Sequence, residues 1–128
     1  MINVLIASHS EDLAKGLSDI IKQMAQGVRI EYSGGDDEGN LGSNFEEIFA
    51  KMNELASDGL VVFFDMGSSM MNVETAYSML DEGLQEKTII AGSPLVESAL
   101  EISLAIDEET SLDDIREMIN SYKFSKLD

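Results

Sequence analysis

The chain has 128 residues, enough for one continuous apolar core, and its 44% apolar content is ordinary for a folded domain. With 25 acidic against 8 basic residues the net charge is -17, which repels nucleic acid and anionic lipid, both of which are bound mainly through Lys and Arg. No cysteine is present, so disulfides, thiolate chemistry and a cysteine-held structural zinc site are excluded, and the chain fits a cytoplasmic setting.

The first element is a short apolar run, Ile2 to Ala7, rich in β-branched residues and read as a strand buried on both faces. It has no basic flank and is too short for a signal peptide or a membrane span. Ser8-His9-Ser10 interrupts it, and Ser10 can cap a helix whose first turn holds Glu11 and Asp12. Leu13, Leu17, Ile20, Ile21 and Met24 recur at three- and four-residue spacing as its inward face, and Gly27 is its stop.

A second strand is predicted at Val28 to Tyr32. The stretch from Ser33 to Gly42 has loop composition and is longer than most connections, which draws attention to it as functional. Ser43-Asn44-Phe45-Glu46 reads as a capping box, and Phe45, Ile48, Phe49, Met52, Leu55 and Ala56 supply the inner face of a second helix.

Leu60-Val61-Val62-Phe63-Phe64 is the strongest strand signal. It ends abruptly at Asp65-Met66-Gly67-Ser68-Ser69, ahead of a helical pattern of Met71, Val73, Ala76, Tyr77 and Leu80. Lys87 to Ala91 gives a fourth strand, Pro94 opens a helix carrying Leu95, Val96, Ala99, Leu100, Ile102 and Leu104, and Ser111 starts a last helix.

Strands alternating with helices predict an α/β fold: an open, mostly parallel sheet of order 2-1-3-4 with helices on both faces, as one domain over 1–128. In such sheets ligands gather at the carboxyl ends of strands where the winding reverses, here between the first and third strands. His9 ends the first and Asp65 the third. Neighbouring strands lie about 4.8 Å apart, so imidazole and carboxylate can share a hydrogen bond.

That pairing points to chemistry at the chain's one histidine. Asp65 holds one ring nitrogen as N–H and so leaves the other nitrogen's lone pair free to attack phosphorus. Gly67, Ser68 and Ser69, with Ser10, offer N–H groups and hydroxyls to the oxygens of a phosphoryl group. Met66, Met70 and Met71 are candidates for a partner-docking surface, since methionine is adaptable. There is no P-loop and no Gly-x-Gly-x-x-Gly turn, so the chain is not expected to bind ATP itself. A Ser-His-Asp hydrolase lacks its Gly-x-Ser-x-Gly elbow.

Ser8-His9-Ser10 after a first strand, then Asp65 to Ser69, Asn72 to Ala76 and Ser93-Pro94-Leu95-Val96-Glu97 in order, resemble the phosphotransferase subunit of PTS-dependent dihydroxyacetone kinase, in the mannose-type enzyme IIA family. The resemblance spans nearly the whole chain. It implies a phosphohistidine carrier and homodimer in which His9 is phosphorylated at Nε2 and Asp65 binds the other nitrogen. It also implies HPr, charged by enzyme I from phosphoenolpyruvate, as donor, and ADP on the kinase's nucleotide subunit as acceptor. Gly42 and Ser43 lie where members of the family shape one wall of the site. No cofactor or metal is implied.

Two other readings compete. A mannose-family sugar enzyme IIA shares the fold, histidine and donor, but resembles a Gly-Gly-Ser-Pro type of turn rather than Asp65-Met66-Gly67-Ser68-Ser69. A receiver-like module would phosphorylate Asp65 and bind Mg²⁺, yet Ser8-His9-Ser10 supplies too few oxygen ligands where paired acids are needed.

Overall fold

Four short extended segments pair side by side in the computed structural model of the chain, which describes residues 1–127. They are β1 (Asn3–Ser8), β2 (Ile30–Gly34), β3 (Leu60–Phe64) and β4 (Thr88–Ala91), in the order β2-β1-β3-β4 with every pairing parallel. The expected strand order is therefore observed.

Parallel strands require crossovers, and the helices supply them: α1 (Glu11–Met24), α2 (Phe45–Leu55), α3 (Ser68–Met79), the single turn α4 (Glu82–Gln85), α5 (Leu95–Ala105) and α6 (Leu112–Asn120). Alternation within the strands divides the core into two layers. Val4 and Ile6 of β1, with Val61 and Phe63 of β3, pack against α1, α5 and α6. Leu5, Ala7, Leu60 and Val62 face α2 and α3 on the other side. Because the side-chain period of a strand is two, a one-residue slip would exchange the layers and set the large Phe63 against the wrong helices.

Several expectations need correction. β2 starts at Ile30, two residues later than predicted, and runs on to Gly34 because Ser8 pairs with Gly34 at the end of the β1–β2 ladder. Leu13, Ile20 and Met24 are exposed, and the buried face of α1 is Ala14, Leu17, Ser18 and Ile21. The helix carries two apolar stripes, and only one meets the sheet. Met71 likewise lies outside the buried face of α3, and Val96 and Leu104 outside that of α5.

The α2 cap is Asn44, whose side chain accepts from Glu47 N, rather than Ser43. Turn α4 was not predicted; at four residues it has too little periodicity to register. Among the described residues no helix is long and apolar enough to cross a membrane.

Candidate functional site

The β1–β3 ladder ends with Ala7 opposite Phe64, so the next residues of each strand leave the sheet together at its carboxyl edge. Asp65 N donates to Ala7 O at 3.3 Å and carries the ladder one step further. This register, rather than any sequence proximity, brings His9 to Asp65 across 56 positions.

Asp65 is surrounded by donors. Its Oδ2 accepts from Ser8 Oγ at 2.7 Å, from the His9 backbone N–H at 3.0 Å and from His9 Nδ1, while Oδ1 accepts from Met66 N at 2.7 Å. The side chain is 9% exposed. Burial alone would raise the Asp65 pKa, but hydrogen bonds from Ser8, Met66 and His9 outweigh it and hold the carboxyl below its ordinary value. The group is ionised at neutral pH, and an ionised carboxylate only accepts.

That fixes the histidine. With Oδ2 as acceptor, Nδ1 must carry the hydrogen, so in the neutral ring the lone pair sits on Nε2. Among the described residues none hydrogen-bonds Nε2. The imidazole is 41% exposed, against 9% for the Asp65 side chain, so the ring reaches outward from a largely covered anchor.

The ring opens into a shallow cavity of about 300 Å³ lined by His9, Leu41, Gly42, Met66, Gly67 and Ser68. One wall comes from the long loop, where Gly42 N donates to His9 O at 2.9 Å, and Asn72 Nδ2 of α3 donates to Ser43 Oγ at 3.0 Å. The other wall is the turn into α3. Gly67 has φ +64°, a region that L side chains avoid, and it caps α3 with no side-chain hydrogen bond. By contrast, α1, α2 and α6 are capped by Ser10, Asn44 and Ser111. The first-turn N–H groups at Ser68, Ser69 and Met70 therefore lack a capping side chain, which leaves donors and the positive end of the helix dipole beside the imidazole. A neutral nitrogen nucleophile facing such donors suits attack on phosphorus.

The predicted site residues divide. His9, Asp65, Gly67 and Ser68 come together. The Ser69 side chain is fully buried on the Val73–Ala76 face of α3, and its hydroxyl has no partner among the described residues, so only its backbone can serve a ligand. Ser10 is occupied as the α1 cap, accepting from Leu13 N, and does not line the cavity.

Ser8 was missed. It donates to Asp65 and its Oγ accepts from Ser10 N at 3.0 Å, tying the carboxylate to the start of α1. Beyond its place in the Ser8-His9-Ser10 motif of the resemblance, its signal is a serine at the end of a buried strand. Leu41 lies in the loop singled out for its length and Asn72 opens one of the motifs of the resemblance, but neither is assigned a role by the sequence.

A model of the EIIA-man family, described as the PTS system fructose IIA component, matches residues 3–119. The chain belongs to the EIIA-man family. A relative from Listeria innocua, the "PEP-dependent dihydroxyacetone kinase 1, phosphoryl donor subunit DhaM", is 36% identical over 96 residues, 75% of this chain and 74% of that protein. Another, the "PTS-dependent dihydroxyacetone kinase, phosphotransferase subunit DhaM" of Lactococcus lactis, is 29% identical across 96% of this chain and 97% of its own.

The EIIA-man fold recurs in the solved structure of phosphotransferase system component EIIA from Streptococcus agalactiae. That structure has a TM-score of 0.68, is 16% identical, and is matched over 94% of this chain and 90% of its own. The crystal structure of a protein of unknown function matches more fully, with a TM-score of 0.84 and 30% identity over 99% of this chain and 98% of that one.

Proposed function

We propose that this EIIA-man protein is the phosphoryl donor subunit of a phosphoenolpyruvate-dependent dihydroxyacetone kinase, with His9 as the residue that carries the phosphoryl group. The observation that carries the reading is the contact from His9 Nδ1 to an ionised, largely covered Asp65, which leaves the Nε2 lone pair free on a ring that shares its cavity with Gly67 and Ser68 at the uncapped start of α3.

The chemistry follows from that orientation. Nε2 attacks phosphorus in line, the bond from phosphorus to the donor breaks, and its electron pair leaves with the donor. The ring then holds a proton on Nδ1 and phosphorus on Nε2 and is formally cationic, and Asp65 offsets that charge. In the second half-reaction an oxygen of the acceptor attacks phosphorus, the P–Nε2 bond breaks, and the ring returns to its neutral form. N–H groups of Ser68 and Met70 and the Ser68 hydroxyl would receive the equatorial oxygens, as loose phosphoryl transfer needs positioned donors more than covalent help.

HPr is the donor in this reading, and ADP held on the nucleotide-binding subunit is the acceptor. The protein works as a homodimer. The names of the Listeria and Lactococcus relatives, both subunits of a dihydroxyacetone kinase, support the kinase assignment. The family model's own description, a fructose IIA component, favours the rival in which the acceptor is a sugar-transport subunit.

Reconstitution separates them. With phosphoenolpyruvate, enzyme I, HPr and the other kinase subunits, the protein should form dihydroxyacetone phosphate, and His9→Ala should not. Transfer to a sugar-transport subunit with none to the kinase subunits would establish the rival instead.

A further inference from the structure

The 33–42 loop stands out in the sequence for its length, and the structure gives it an internal order that the core does not supply. Residues 37–41 are exposed, and Leu41 packs into neither core layer. One side chain holds the stretch instead. Asp36 Oδ1 accepts from the backbone N–H groups of Glu38 at 2.9 Å and Asn40 at 2.8 Å. Asp36 N donates to Asn40 O at 2.9 Å, and Gly39 N donates to Asp36 O at 3.3 Å. A carboxylate that accepts from the backbone just ahead of it closes a turn without help from packing. Among the described residues no other side chain hydrogen-bonds to residues 37–41.

That turn reaches the histidine through Gly42. A Cβ on Gly42 would lie only 3.3 Å from Asp36 Cβ, so the Asp36 side chain lies against this glycine and sets where it stands. Gly42 N in turn donates to His9 O at 2.9 Å. On the other side of the same residue, His9 N donates to Asp65 Oδ2 at 3.0 Å. The histidine backbone is thus gripped from two directions, through its N–H by the residue that ends β3 and through its carbonyl by the loop. Asp65 also fixes Nδ1 of the ring, but the carbonyl side depends on the loop alone.

We propose that Asp36 is a positioning residue for transfer at His9, prefolding the 33–42 loop so that Gly42 holds the His9 carbonyl before a partner arrives. The proposal rests on the reading of His9 as the phosphoryl carrier. Asp36 does not line the cavity that holds the imidazole and acts through Gly42. In-line attack needs the nitrogen held close to its productive geometry, and a loop that ordered only on docking would set its ordering entropy against every transfer. Because Oδ1 works as an acceptor, an amide oxygen can take its place and the charge is dispensable.

Two variants and two donors test it. Asp36→Ala removes the acceptor and Asp36→Asn keeps one, at a half-buried position outside both core layers, and thermal melts check the fold. His9 labelling is followed with phosphorylated HPr over a concentration series and with phosphoramidate, which is too small to need a docking surface. The Ala variant should lose about tenfold in rate with both donors, with KM for the protein donor within about twofold, and the Asn variant should stay within about twofold of wild type. Amide exchange in the unphosphorylated wild type adds a readout that needs no variant. Glu38 and Asn40 should exchange at least about tenfold more slowly than Asp37, whose N–H has no partner among the described residues.

A wild-type rate in Asp36→Ala, an Asn variant as slow as the Ala variant, a loss confined to the protein donor, or unprotected Glu38 and Asn40 amides would each overturn the positioning role. A wild-type protein that neither donor labels at His9 overturns the carrier reading and this role together, whereas normal wild-type labelling beside an unaffected Ala variant overturns this role alone.

Discussion

Replacing Asp65 by Asn keeps the size of the side chain and removes its charge. The structure shows what is lost. If the amide oxygen takes the Oδ2 position it still accepts from Ser8, the His9 backbone and His9 Nδ1, but the amide NH₂ then faces the Met66 N–H as donor against donor. The ring keeps its tautomer and loses the anion that offsets its developing positive charge.

Two unit charges about 4 Å apart at an effective dielectric near 20 interact by about 4 kcal/mol. The imidazole is 41% exposed, so solvent weakens this, and about 2–3 kcal/mol is a reasonable share, equivalent to a slowing of roughly 30- to 150-fold. Single-turnover quench-flow with a saturating phosphoryl donor measures the step directly, and a thermal melt checks the fold. An Asn variant that melts as a folded protein yet transfers within about threefold of wild type would refute the proposed role of Asp65.

Further outcomes follow from the same contacts. Because the Asp65 pKa is depressed in the folded protein, its contribution to stability is full above the unfolded-state value and is lost as pH falls through the lower folded value. Urea titrations below about pH 4 should therefore show this increment fading in wild type but absent from Asp65→Asn. A Cβ on Gly34 would lie 2.6 Å from Ser10 O and 2.7 Å from Glu11 Cα, so Gly34→Ala should push the start of α1, and His9 with it, away from Asp65. A loss of about 1–3 kcal/mol and slower labelling of His9 are expected, with unchanged urea midpoint and rate as the contrary result. Ser18 in α1 is fully buried with a hydroxyl that has no partner among the described residues, so Ser18→Ala should stabilise by about 1 kcal/mol and raise Tm by about 2–6 °C. A lower Tm would mean that the hydroxyl does have a partner.

Much of this was legible in the residues because the signals were strong and agreed. Runs such as Leu60 to Phe64 between helical periods admit little but parallel strands, and chain order then sets β1 beside β3 and places His9 and Asp65 at one edge. Errors arose where hydrophobicity is a poor proxy for contact. Leu13, Ile20 and Met24 fit the period of α1 as well as Ala14, Leu17 and Ile21 do, and only packing tells the stripes apart. Ser69 follows Ser68 by one position, yet a turn of 100° sends one hydroxyl into the core and leaves the other at the cavity. Gly34 reads as loop from its composition, although it completes β2 because nothing larger fits beside Ser10.

The role of Ser8 depends on where the ladder ends, which no local pattern encodes. Its hydroxyl reaches Asp65 only because β1 and β3 stop in register. The same holds for the link from Asn72 to Ser43, which joins α3 to the loop over a separation of 29 residues.

The phosphorylation site itself gives the most direct test. After incubation with phosphoenolpyruvate, enzyme I and HPr, mass spectrometry at alkaline pH should find one added phosphoryl group, on His9 and lost on acidification. A label on Asp65 or a serine, or an equally labelled His9→Ala protein, would contradict histidine-borne transfer.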